Sequence, residues 1–431
     1  MKLKLLFSSL FVSSAIITTA QATPFNGYIV KVKPGSNFLN QKSLSNFGKT
    51  TKVANTSFGT FARIETNKGL SDLAFSALAS DPGIEYIEPN YIITLNKIKG
   101  GEEVPVPKDT SFKKQWGMKN DGKNGSIFSS GVAGEDINVL RAWSITQGSK
   151  DVKIAVIDTG VDYTHPDLKD QIDVNLSELN GKPGVDDDNN GFVDDIYGYD
   201  FANKDGDPQD GHGHGTHCAG VIGAAHNDIG VAGIMAHVKI VPIKFLSDKG
   251  SGESIDAIAA IDYGIKRGVN IMSNSWGGGE KEQSLEDAIK AAESAGITFV
   301  AAAGNESANN DTTASYPANY EVGNVISVGS YTSTGAKSSF SNFGVKSVHV
   351  TAPGSNILST YKNGGYTTMS GTSMATPHIA GIVGLLLSQE PNLTPAQIRE
   401  RLVNTSVKTS KLSTASLSGG RVDAFKALTN K

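Results

Sequence analysis

The alternation of apolar and polar positions changes its period once along the chain, near residue 109. Before that point residues 27–33 place Tyr28, Val30 and Val32 on one side of an extended segment, the period-2 signature of a half-buried strand. Residues 60–65 predict a second strand, 70–79 a helix and 84–95 a last extended pair, together a small α/β unit over 23–96. Residues 97–108 carry two glycines and two prolines among mixed charges, which predicts an exposed linker open to proteolysis. From 109 to 431 short, near-continuous apolar runs (153–157, 238–245, 269–273, 297–302, 325–329) alternate with amphipathic stretches such as 254–267 and 284–295. Strands apolar on both faces with intervening helices predict an α/β fold: a three-layer, doubly wound parallel sheet covered on both sides. In such a sheet reactive groups collect beyond the carboxyl ends of the strands.

Composition narrows the partners. The formal net charge of −4 over 431 residues shows no basic excess, so no nucleic-acid partner is expected. Lys2 and Lys4, an apolar run over 5–17 and the small residues Ala20 and Ala22 predict a Sec-type signal peptide over 1–22, hence a secreted protein, extracellular or periplasmic. No later stretch reaches the roughly 18 apolar residues of a membrane span, so no membrane anchor is expected. Cys218 is the lone cysteine, which excludes an internal disulfide and leaves stability to packing or bound ions. Nothing in the pattern asks for more than a monomer.

Three polar residues stand in distinctive settings. Asp158 ends the apolar run Ile154-Ala155-Val156-Ile157, His214 opens the block His-Gly-Thr-His-Cys-Ala-Gly, and Ser373 lies in Gly371-Thr-Ser-Met-Ala-Thr-Pro377 at the start of a helix. A serine hydroxyl becomes a nucleophile when a base takes its proton and a third group holds that base in the right tautomer. Singly, Asp158 has a plainer role as a turn aspartate and Ser373 as a capping serine. Asp210, His212, His214 and His217 are also spaced to allow a metal cluster, which leaves the serine block unexplained.

Together the three blocks, in the order Asp, His, Ser, resemble those of the subtilisin-like peptidases (subtilases), over 109–431 and also in the region before. The resemblance implies a serine endopeptidase with His214 as base, His217 as an interior residue, and Asn305, in Ala-Ala-Ala-Gly-Asn-Glu, as oxyanion donor. It implies that 23–96 is a ferredoxin-like inhibitory propeptide that assists folding and is removed by self-cleavage, and that the partners are protein or peptide substrates. Gly250, Ser251 and Gly252 should face Ser275, Trp276 and Gly277 across an extended substrate, a peptide backbone pairing with both edges. Ala302 and Gly304 should complete the pocket before the scissile bond, where Trp276 replaces the smaller aliphatic residue usual in the family. Cys218, one turn behind His214, matches the proteinase K-type members. Pro377 is expected in the first turn of its helix, where a missing N–H is tolerable.

Calcium is the expected structural cofactor, with no organic cofactor. Asp186, Asp188, Asn190 and Asp194 occupy the first, third, fifth and ninth positions of an acidic loop, Phe192 joins at the seventh, and Gly191 at the sixth permits the bend. Position twelve is Tyr197, so Asp194 or Asp195 must replace the usual glutamate. By resemblance to thermitase-like subtilases, a second site takes Asp109, Asp167, Asn227 and the carbonyls of Ala225, Ile229 and Val231. An α/β-hydrolase esterase would instead need Gly-x-Ser-x-Gly and the order Ser, Asp, His, and a pseudopeptidase a substituted triad; neither matches.

Overall fold

The computed structural model describes residues 25–40, 47–56, 59–66, 70–91, 103–123, 130–278 and 280–431. The expected signal segment and residues 97–102 of the expected linker lie outside the described residues. The chain divides into two compact units, 1–99 and 100–431.

In the first unit, β1 (Phe25–Val32), β2 (Lys49–Thr56), β3 (Gly59–Glu65) and β4 (Ile84–Tyr91) form an antiparallel sheet in the order β2-β3-β1-β4, with α1 (Asp72–Ala79) between β3 and β4. Val30, Val32, Ile64, Leu78 and Ile84 bury one small core with Phe38. The Ser71 hydroxyl caps α1 by accepting the Ala74 N–H at 3.3 Å. The expected extended pair over 84–95 is a single strand as far as the described residues run. Strand β2 escaped the pattern because Lys-Thr-Thr-Lys-Val-Ala-Asn-Thr carries one large apolar residue, as suits an edge strand.

The second unit is built on a sheet of nine strands: β5 (Gly148–Asp158), β6 (Tyr199–Asp200), β7 (His237–Lys244), β8 (Ile271–Asn274), β9 (Thr298–Ala302), β10 (Val325–Tyr331), β11 (Val350–Pro353), β14 (Val407–Lys408) and β15 (Gly420–Arg421). Their order is β14-β15-β11-β10-β9-β8-β5-β7-β6, parallel except for the terminal β14/β15 pair. A separate hairpin pairs β12 (Ile357–Tyr361) with β13 (Gly365–Met369). The helices are α2 (Val139–Ala142), α3 (Leu176–Leu179), α4 (His214–Gly223), α5 (Ser254–Lys266), α6 (Gln283–Ser294), α7 (Thr372–Gln389), α8 (Pro395–Thr405) and α9 (Ala424–Thr429).

Side chains along a strand point alternately to the two faces, and β5 shows why its run is continuously apolar. Ile154 and Val156 enter the core with α4 and α7, while Ala155 and Ile157 enter the core with α5 and α6. This is the expected three-layer arrangement. It brings the ends of β5, β7, β8 and β9 to one edge, and the loops after them carry the residues with chemistry.

Pro377 departs from expectation. α7 begins at Thr372, so the proline lies in the second turn, inside the helix. A proline has no N–H for the carbonyl four residues earlier, and that carbonyl belongs to Ser373. The Ser275 hydroxyl takes the vacant role, donating to Ser373 O at 2.9 Å.

Candidate active site and cation sites

Asp158 is wholly buried at the end of β5, and its Oδ1 accepts both the Thr159 N–H at 2.7 Å and the His214 Nδ1–H at 2.8 Å. With Nδ1 donating, the Nε2 lone pair remains for a proton from the cleft. Gly213 delivers His214 to that position: its φ is +105°, and a Cβ there would land 2.1 Å from the Tyr361 ring. Burial is the largest influence on the imidazole and lowers its pKa, but the Asp158 charge and hydrogen bond, helped by Asp210, outweigh it and leave His214 above its ordinary value.

Asp210 holds the start of α4. Its Oδ1 accepts from Thr159 Oγ1, His212 N and Gly213 N, and its Oδ2 from Thr216 N and Oγ1, all at 2.6–2.9 Å. Those oxygens are saturated by the protein. His217 contacts the Ile357 carbonyl at 2.9 Å, and burial pushes its pKa down to about 4. Asp210, His212, His214 and His217 therefore do not form a metal centre. Asp158, His214 and Cys218 do have donor atoms within 4.8 Å of one another. Burial raises the Cys218 pKa, however, and its thiol, kept protonated, reaches the Ser373 carbonyl at 3.5 Å.

Ser373 is the second residue of α7, and its hydroxyl donates to Ser275 O at 3.1 Å while the Ser275 hydroxyl donates back to Ser373 O. Among the described residues its hydroxyl is bonded to the Ser275 carbonyl and not to His214. Asn305 Oδ1 accepts from Thr372 N at 2.8 Å and Thr372 Oγ1 at 3.0 Å. A backbone N–H can only donate, which fixes the amide's orientation and turns Nδ2 outward. A Cβ built on Gly371 would stand 3.7 Å from that Nδ2 and 3.5 Å from Ser373 N, so two donors flank one point beside the serine.

His214, Ser373 and Asn305 line one cleft of about 980 Å³, together with Gly250, Ser251, Gly252, Ser275, Trp276, Gly277, Ala302 and Gly304. Trp276 packs edge-on against Phe245 with ring centroids 4.9 Å apart, and its buried indole N–H has no hydrogen-bond partner among the described residues. Ala257 and Leu285 also line this wall; they sit on the inward faces of α5 and α6, where a sequence reading assigns them to the core.

The acidic loop closes on itself. Asp186 accepts the Asn190 and Gly191 N–H groups, and its donor atoms gather within 4.8 Å of those of Asp188 and Glu178. Glu178, on α3, is the carboxylate that loop spacing missed, since it precedes the run. Asp195 turns inward to Tyr263 Oη at 2.5 Å and Arg267 NH1 at 3.5 Å, and Asp194 accepts the Gly184 N–H at 2.8 Å. Asn190 donates to Asp188 and Asp195, and the Phe192 ring packs on Tyr199, Phe201 and Tyr263.

At the second site Asp167 Oδ2 accepts from Val231 N at 3.0 Å and Tyr366 Oη at 2.9 Å, while its buried Oδ1 has no hydrogen-bond partner among the described residues. Asp109 accepts the Asn227 N–H at 3.2 Å, Ala225 donates its N–H to Asp167 O, and Asn227 Oδ1 takes the Ile229 N–H at 3.3 Å. Burial raises the pKa of both aspartates, and the Asp167 charge raises that of Asp109 further. A hard cation suits a carboxylate oxygen left without a partner near a second buried carboxylate.

Residues 149–423 match the family model described as "Subtilase family". The chain belongs to the subtilase family of subtilisin-like serine peptidases. It is 39% identical to thermitase of Thermoactinomyces vulgaris over 307 residues, covering 71% of this chain and 98% of the relative. It is 36% identical to a thermophilic serine proteinase of Bacillus sp. (strain AK1) over 363 residues, 84% of this chain and 77% of the relative. Against subtilisin-like protease 1 of Plasmodium berghei it is 40% identical over 307 residues, 66% of this chain, and spans about half (51%) of that relative's length. A crystal structure of a cold adapted subtilisin-like serine proteinase superposes with a TM-score of 0.53 at 31% identity, covering 72% of this chain and 96% of the other.

Proposed function

We propose that the chain is a secreted serine endopeptidase made as a zymogen: signal peptide 1–22, inhibitory propeptide 23–96, processing linker 97–108, and peptidase 109–431. What carries the reading is the meeting, on one cleft, of a histidine oriented by a buried aspartate, a serine at a helix start and an asparagine with its amide nitrogen free. Ser373 Oγ attacks the scissile carbonyl as His214 Nε2 takes its proton; Asp158 holds the tautomer and steadies the imidazolium. Asn305 Nδ2 and Ser373 N donate to the oxygen as it becomes negative. His214 returns the proton to the leaving amine, and water then releases the acyl group from Ser373 by the same route. Calcium, when bound at the Asp109/Asp167 site and in the Asp186 loop, supplies positive charge that holds the surrounding segments together.

Casein hydrolysis tests this. Both a serine-directed phosphonate and Ser373→Ala should abolish it, and activity surviving either overturns the serine mechanism. Ser373→Ala should also keep the first unit covalently attached; its removal without added protease overturns autoprocessing.

A further inference from the structure

Among the described residues, four glutamates line the cleft, Glu253, Glu280, Glu282 and Glu306, against one lysine, Lys249. With the cleft histidines neutral the lining carries four negative charges against one positive, a net of −3. Two of the four stand at helix starts, where an acid can serve the helix dipole. Yet neither Glu253 before α5 nor Glu282 before α6 caps its helix through its side chain. Glu282 accepts from Ser254 Oγ at 2.8 Å and Glu306 from Asn342 Nδ2 at 3.0 Å. These neutral donors steady the carboxylates and leave their charge unmatched.

None of the four joins an ion pair among the described residues. Glu286, inside α6, is by contrast held by Lys281 at 2.9 Å and Lys290 at 2.7 Å. Lys281 lies between Glu280 and Glu282 in the chain and still turns to Glu286. The unmatched charge is also spread along the groove: Glu253 follows Gly252 on one wall, Glu280 and Glu282 follow the Ser275–Gly277 wall, and Glu306 follows Asn305. An extended chain lying between these walls meets the same sign of charge along its length.

We propose that this cleft selects basic segments, cutting peptides and protein loops in which lysine or arginine flanks the scissile bond and discriminating against acidic ones. The proposal rests on the peptidase reading above. Charges of one sign in a cleft raise the local concentration of an opposite-charged ligand and repel a like-charged one. An exposed pair is worth less than about tenfold by itself, so the selectivity comes from several acting on one peptide. It is also screened, since the Debye length falls from about 10 Å at 0.1 M salt to about 3 Å at 1 M.

The test uses the processed protein and three quenched fluorogenic peptides that share a scissile core and differ only in flanks of lysine, glutamine or glutamate. At 20 mM salt kcat/KM should fall in that order, with lysine over glutamate by about tenfold, and the ratio should shrink towards one at 1 M salt. In the combined Glu253→Gln, Glu280→Gln, Glu282→Gln variant the ratio should drop below about threefold. Equal cleavage of the three peptides, or a ratio untouched by both salt and the variant, overturns the charge selection while leaving the peptidase reading intact. If none of the three is cut, the peptidase reading falls, and the inference with it.

Discussion

Asp210 and Asp167 are both buried aspartates beside a proposed functional centre, and they are stabilised differently. Asp210 accepts hydrogen bonds from five protein donors, which fix the start of α4 and the Thr159 loop in advance. Asp167 has one oxygen satisfied and one with no partner, close to a second buried carboxylate, Asp109. A network the chain completes alone needs nothing from the solution; one left with an unpartnered carboxylate oxygen is, on our proposal, completed by an ion. The cleft should therefore respond to changes in its own side chains, and the acidic sites to the solution.

The largest effects test the cleft half of this contrast. His214→Ala or Ser373→Ala should lower kcat by about 10⁶, a magnitude inherited from subtilisin itself, while the ion-dependent part of the melting temperature stays in place. A comparable loss of ion dependence would break the separation. Asn305→Ala should cost about 10²–10³ in kcat, again subtilisin's own value, with KM little changed; an effect confined to KM would make Asn305 a binding residue.

The pH profile comes next. As the proposed base, His214 acts only when neutral, so kcat/KM should rise through an apparent pKa above the ordinary histidine value of 6.5. Stability runs the other way. A folded pKa raised above the unfolded one makes the Asp158–His214 contribution complete below about pH 6.5 and lost as pH climbs through the folded value. An activity profile centred below 6.5 would contradict the pairing.

For the acidic sites, chelation should lower the melting temperature by about 5–10 °C, since an ion at a hundred times its dissociation constant adds about 2.7 kcal/mol. Asp167→Asn should remove much of that sensitivity; a melting temperature indifferent to chelator would show that Asp167 is finished without an ion. The smallest effect tests the join between nucleophile and wall. Ser275→Ala removes the only hydroxyl donated to Ser373 O among the described residues and should cost about 1 kcal/mol in stability and about threefold in kcat. A silent substitution would mean the Cys218 thiol suffices.

Much of this was legible in the chain. Residues 154–157 announce a doubly covered strand because each face carries its own apolar set, and the blocks around Asp158, His214 and Ser373 are short enough to be read as units. What escaped depends on contacts between distant segments. Glu178 joins Asp186 and Asp188 from a short helix before their loop, so the loop's internal spacing gave no sign of it. Ala257 and Leu285 serve core and cleft at once, and periodicity reports only the first. The helix start was readable to within a residue, but Pro377 falls in the second turn whether Thr372 or Ser373 opens the helix, since four residues exceed the roughly 3.6 of one turn.

The exchange between Ser275 and Ser373 spans 98 residues of chain, and Asp158 meets His214 across 56. Contacts between distant segments come late, because the entropy of closing the loops must be met before they give anything back. If Ser373 is the nucleophile we propose, its place beside Ser275 exists only once these two distant segments have met. On the peptidase reading, the power to cut therefore depends on contacts that only the folded second unit makes.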